Sequence, residues 1–153
     1  MLEEGQKAPD FNLETDGYGK TSLAQLKGKI AVVYFYPKDD TPGCTSEAIA
    51  FSRLKPEFDK CGAVVIGVSK DSVQKHDSFK KKHDLNIQLA SDEAGEMVAA
   101  YGVWVKKLNY GREYMGIERT TFLIDPKGVI RKIWRKVKVN GHAEKVLELA
   151  QTL

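Results

Sequence analysis

Hydrophobic positions along the chain fall into two kinds of run. Ile30-Ala-Val-Val-Tyr-Phe-Tyr36 and Ala63-Val-Val-Ile-Gly-Val-Ser69 are near-continuous apolar stretches rich in β-branched and aromatic residues. Such runs predict strands buried on both faces. Between them, Ala48, Phe51, Leu54 and Phe58 recur at helical spacing, predicting a helix from about Thr45 to Lys60 with Gly62 as its stop. Asp71 and Gln74 stand at capping-box spacing and predict a second helix, with Val73 and Phe79 inward. A shorter helix is expected over Glu96 to Tyr101.

Asp10 to Glu14 alternates and meets Gly17-Tyr-Gly19, predicting an early hairpin. Thr120 to Ile124 and Val129 to Trp134 flank Asp125-Pro-Lys-Gly128, predicting an antiparallel hairpin. Ala143, Val146, Leu147, Ala150 and Leu153 trace the apolar face of a closing helix. The sum is an α/β chain, a central mixed sheet flanked by helices as in thioredoxin-like folds. The pattern gives the class, not the strand order. With no repeat, low-complexity tract or dividing linker, residues 1–153 are expected to form one domain.

Composition narrows the function classes. At 42% hydrophobic and 29% charged, the chain reads as a globular domain rather than a disordered one. A net charge of +3 is mild, and the basic runs at Lys80 to Lys82 and Arg131 to Lys138 read as solvated faces rather than a nucleic-acid surface. No stretch approaches the roughly 18 to 20 apolar residues of a membrane span. The polar, acidic start does not resemble a signal peptide, so a cytoplasmic protein with reduced thiols is expected.

The chain has two cysteines, Cys44 and Cys61, too few for a disulfide framework. Cys44 follows Pro42-Gly43 where a helix should begin. Unpaired N–H groups and the positive end of the macrodipole favour a thiolate there. Thr41, three residues earlier, can bring a hydroxyl to that sulfur. Position alone leaves two readings, a reactive thiolate or a half-buried cysteine acting as a small hydrophobe.

The wider pattern chooses between them. Pro37, Thr41 and Cys44 fit a Pro-x-x-x-Thr-x-x-Cys motif, and Thr41-Pro-Gly-Cys-Thr45 sits within it. With Gly5 to Phe11, Tyr101 to Trp104, Gly116 to Asp125 and Val137 to His142 in register, the chain resembles the peroxiredoxins. The resemblance is to the bacterioferritin-comigratory, or peroxiredoxin Q, subgroup. It implies a thiol-dependent peroxidase acting on hydrogen peroxide and organic hydroperoxides, with no metal, haem or flavin. Cys44 would be the attacking thiolate, Thr41 would donate to the peroxide, and Pro37 would shield the pocket. Arg119 would hold the thiolate charged, and Glu47 would fix Arg119. By residue type alone, Glu47 and Arg119 would be an ordinary surface pair.

One position departs from the subgroup. Many members carry a resolving cysteine five residues after the first, where this chain has Ile49. Cys61 is the remaining thiol, but a continuous helix would put it roughly 25 Å from Cys44, far beyond disulfide reach. Cys61 is therefore expected to be a packed structural residue, with a low-ranked part in resolution. An external reductant is expected: thioredoxin, glutaredoxin with glutathione, or a small thiol. A monomer is expected from the resemblance. A redox-regulated binder or holdase is the second reading, disfavoured by the intact Pro-Thr-Cys-Arg set. His76 and His83, two turns apart, are too distant to share a metal ion unaided. His142 is expected to cap or pack.

Overall fold

The computed structural model describes all residues from Met1 to Leu153. Its elements, in chain order, are β1 (Asn12–Thr15), β2 (Gly19–Ser22), β3 (Ile30–Phe35), α1 (Pro42–Lys60), β4 (Ala63–Ser69) and α2 (Val73–His83). They continue with β5 (Gln88–Ser91), α3 (Glu96–Ala100), β6 (Trp104–Asn109), β7 (Arg112–Ile117), β8 (Thr120–Ile124), β9 (Ile130–Trp134) and α4 (His142–Ala150).

Seven strands make one sheet in the order β2-β1-β5-β4-β3-β8-β9. The β3–β4 and β4–β5 pairs are parallel, and the others are antiparallel. This is the expected mixed sheet. The central strand β3 is buried at every position, and its alternation divides the core in two. Ile30, Val32 and Tyr34 face α1, α2 and α4, whereas Ala31, Val33 and Phe35 face α3 and the amino-terminal segment. Tyr34 stacks on Phe51 of α1 with ring centroids 4.7 Å apart. A side chain on Gly67 would meet the Tyr34 ring at 2.7 Å, so the glycine inside the β4 run is what lets that ring lie across the sheet.

Three details differ from expectation. Helix α1 begins at Pro42, a residue suited to a first helical turn, so Cys44 is the third residue inside the helix. The cap of α2 is Ser72, whose hydroxyl accepts from the Lys75 N–H at 3.2 Å. Asp71 does not cap; it accepts from Ser69 Oγ and the Asp39 N–H. Strands β5, β6 and β7 are additional to the elements that the hydrophobic pattern predicts. β5 is only four residues long, and β6–β7 is a largely exposed ribbon turning at Tyr110-Gly111, both in left-handed backbone.

At the other edge, the amino-terminal segment lies along β9. Gly5 N donates to Ile130 O, Ile130 N to Gln6 O, and Arg135 reaches the Leu2 carbonyl. No helix is long and apolar enough to cross a membrane.

Candidate active site

Topology explains how residues 75 apart in sequence meet. β3 and β8 are antiparallel neighbours, with Phe35 opposite Thr120. The end of β3, which leads to Cys44, and the start of β8, which follows Arg119, therefore share one end of the sheet. α1 then carries Cys44 and Glu47 on the face it turns to the sheet, together with Ala48 and Phe51.

Cys44 is 1% exposed. Arg119 Nη2 lies 3.4 Å from Cys44 Sγ, and Arg119 Nη1 donates to Glu47 Oε1 at 2.7 Å. Glu47 is 1% exposed and the Arg119 side chain 17%, so the pair is not a surface pair. Burial pushes the Glu47 carboxyl up to about 7, against the opposing pull of Arg119. Its second oxygen has no partner. For Arg119, burial opposes the charge, but Glu47 and Cys44 outweigh it and raise the guanidinium above its ordinary range. A side chain on Gly43 would meet Arg119 Nη2 at 3.1 Å, so glycine there gives the guanidinium its room.

Thr41 stands at the cap position of α1 without capping it. Its hydroxyl donates to the Lys38 carbonyl at 2.8 Å. That hydrogen is already committed, which leaves the oxygen lone pairs as the free valence rather than the expected donor. Pro37 is exposed at the start of the loop.

Cys61 ends α1, with its Sγ on the Phe58 carbonyl at 3.3 Å. Both cysteines are free, and the helix between them spans roughly 25 Å. Ile49, 42% exposed, borders a 640 Å³ groove between α1 and the loop before α4, which also touches Pro42 and Gly43. His142 is buried, edge-on to Phe51 and Trp134, with Nε2 2.7 Å from Thr121 Oγ1. Burial, then Lys145 and Arg119, holds it down to about 4, as fits a packing residue.

Two features had no sequence signal. Lys107 of β6 is half-buried, its ammonium lowered first by burial and then by Arg119, with Cys44 and Glu118 opposing. Nothing in Lys106-Lys107 marks the second lysine as the inward one. His76 is wholly buried, and its ring contacts Asp39 in the loop before Cys44.

The site is thus a buried cysteine in the first turn of a helix, faced by a guanidinium that a buried glutamate orients. Comparisons with known proteins agree with the class this defines. Residues 4–133 match the AhpC/TSA family. Peroxiredoxin Bcp of Bacillus subtilis is 51% identical over 152 residues, covering 99% of this chain and 95% of that one. The Xanthomonas campestris bacterioferritin comigratory protein, studied for its alkyl peroxide reduction activity, superposes with a TM-score of 0.88 at 45% identity, over 93% of this chain and 90% of that one. A cysteine-to-serine mutant of Xylella fastidiosa PrxQ superposes with a TM-score of 0.94 at 38% identity, over 99% and 97%.

The chain belongs to the AhpC/TSA family of peroxiredoxins, thiol-dependent peroxidases, on its bacterioferritin-comigratory, or peroxiredoxin Q, branch.

Proposed function

We propose that this chain reduces hydrogen peroxide and organic hydroperoxides through Cys44 by a one-cysteine cycle. The observation that carries this is Arg119, which bridges Cys44 Sγ and Glu47 Oε1. The Cys44 thiolate attacks the near peroxide oxygen, the O–O bond breaks, and the leaving alkoxide or hydroxide takes a proton. Cys44 becomes a sulfenic acid, oxidised by two electrons, and the peroxide becomes an alcohol or water. Arg119 stabilises the thiolate and the charge that develops on oxygen. Glu47 orients Arg119. Thr41 accepts a hydrogen bond from the peroxide O–H, and Pro37 limits water at the loop.

One external thiol then condenses with the sulfenic acid, releasing water and leaving a mixed disulfide. A second thiol displaces Cys44 and restores the thiolate. Ile49 offers no thiol and Cys61 lies at the far end of α1, which supports external resolution by thioredoxin, glutaredoxin with glutathione, or a small thiol. The protein acts as a cytoplasmic monomer of one domain, without cofactor, nucleic acid or membrane. Mass spectrometry after one equivalent of peroxide tests the cycle, with a sulfenic acid on Cys44 as the expected product. A stoichiometric Cys44–Cys61 disulfide within one chain would overturn the one-cysteine reading.

A further inference from the structure

The loop from Pro37 to Thr41 delivers Cys44 to the site, and its middle residue is tied into the protein from three sides. Asp39 Oδ1 accepts from the Tyr36 phenol at 2.5 Å. Asp39 Oδ2 lies 2.6 Å from His76 Nδ1 on α2, and the Asp39 N–H donates to Asp71 Oδ2 at 2.8 Å. The His76 side chain is 0% exposed and that of Asp39 is 6% exposed.

His76 Nε2 faces the Ala90 carbonyl at 2.9 Å, so it carries a hydrogen. Nδ1 faces a carboxylate, which has nothing to donate when ionised. One proton therefore lies between Nδ1 and Oδ2, whichever atom holds it. Breaking that contact strands a buried ionisable group on each side, far costlier than losing a surface pair. The neighbouring Asp40 makes a second tie, to Lys82 Nζ at 2.7 Å and His83 Nε2 at 2.8 Å, but it is exposed.

Cys44, at 1% exposure, is well placed to hold a small peroxide and badly placed to meet a reducing thiol. The reducing half of the cycle needs the loop and the first turn of α1 to move away. The tie from Asp39 to His76 must break, or α2 must follow.

We propose that Asp39 and His76 are positioning residues for the peroxidase reaction, a buried proton-sharing latch that keeps the Cys44 loop closed for peroxide attack and whose release admits the reductant. This rests on the peroxidase reading, and the two fail separately. If peroxide does not oxidise Cys44 in the unaltered protein, that reading falls first.

The test measures the two half-reactions apart in Asp39→Asn, His76→Gln and the double variant. Stopped-flow records oxidation by hydrogen peroxide, then reduction of preformed sulfenic acid by dithiothreitol. Each single variant should slow oxidation by about tenfold or more, the usual scale for a buried charged hydrogen bond, while speeding reduction. The double variant should be no worse than the worse single. Hydrogen exchange of peptides covering residues 37 to 46 should quicken in the same variants. A residue that merely supports the fold would slow both half-reactions together. Folded variants with both rates unchanged, or both slowed in proportion, would overturn the latch. Should the variants not fold, native-state exchange of the unaltered protein decides. Residues 38 to 45 must open together in one sub-global step, whether or not the start of α2 opens with them, and piecemeal fraying of the loop with no common step would overturn the proposal.

Discussion

The two ends of α1 carry the two cysteines, and they could hardly differ more. At the amino-terminal end, Cys44 sits among free N–H groups with a guanidinium 3.4 Å from its sulfur. At the carboxyl-terminal end, Cys61 directs its sulfur at the Phe58 carbonyl, and Gly62 with φ +76° turns the chain away. The helix field that welcomes negative charge at one end opposes it at the other. One residue type at the two ends of one helix thus meets opposite surroundings, a guanidinium at one and a backbone carbonyl at the other. Position along the helix decides which.

The sharpest break of this comparison would be a swap of importance. Cys44→Ser should abolish peroxide consumption in a dithiothreitol-coupled assay, whereas Cys61→Ser should retain most of it. Loss of turnover in the Cys61 variant would mean that the far end of α1 takes part in the cycle.

Next in size is the cation. Arg119→Ala should slow iodoacetamide alkylation of Cys44 at neutral pH by about tenfold or more, because a neighbouring positive charge favours the ionised thiol. Alkylation of Cys61 should not change, which makes it the internal control. Equal slowing at both sites would point to a general loss of fold.

A third change moves a thiol toward the active end. Ile49→Cys would stand five helical residues from Cys44, about 8 to 9 Å between α-carbons, outside disulfide range while the helix is wound. Unwinding of the first turns should let the pair close after one turnover. Peptide mapping should then find a 44–49 disulfide and less sulfinic acid at excess peroxide. Unchanged overoxidation would show that the first turn does not unwind on the time scale of the cycle.

The smallest effect is in the pH dependence of stability. Glu47 is raised from an ordinary 4.5 to about 7, so between those values the folded chain holds a proton that the unfolded chain releases. Its contribution is full below pH 4.5 and is lost as pH rises through about 7. His142 is lowered from 6.5 to about 4, so its contribution is full above pH 6.5 and is lost as pH falls through about 4. The two slopes oppose each other between pH 4.5 and 6.5. Glu47→Gln should therefore expose a rise of stability with pH across that window in denaturant melts, and His142→Asn should expose a fall. Parallel shifts without a change of slope would remove both assignments.

Much of this was legible in the residues. The runs that became β3 and β4, and the apolar face of α1, are strong because each is buried along its length and carries its own period. Cys44 was legible because strand, loop and helix signals converge on it. Asp39 and His76 were not. Their contact joins residues 37 apart across two elements, and the register that brings them together depends on the packing of α2. The β6–β7 ribbon was hidden for another reason. Neither strand has a buried face over most of its length, so no hydrophobic alternation announces it. The helix-cap expectation missed by one residue because Asp71 is used inside the protein and Ser72 takes its place.

The amino-terminal segment along β9 has a consequence of a different kind. β9 is the last strand on its side of the sheet, and an unpaired strand is a template on which a second chain can add. Gly5 and Gln6 occupy Ile130, and Arg135 reaches back to Leu2, so the first residues act as a removable cover for that edge. A chain clipped ahead of Lys7 would keep Cys44, Arg119 and the whole core, yet would present bare backbone to its neighbours. Cover for this sheet edge thus rests on the backbone of Leu2, Gly5 and Gln6, and not on the elements that bring Cys44 and Arg119 together.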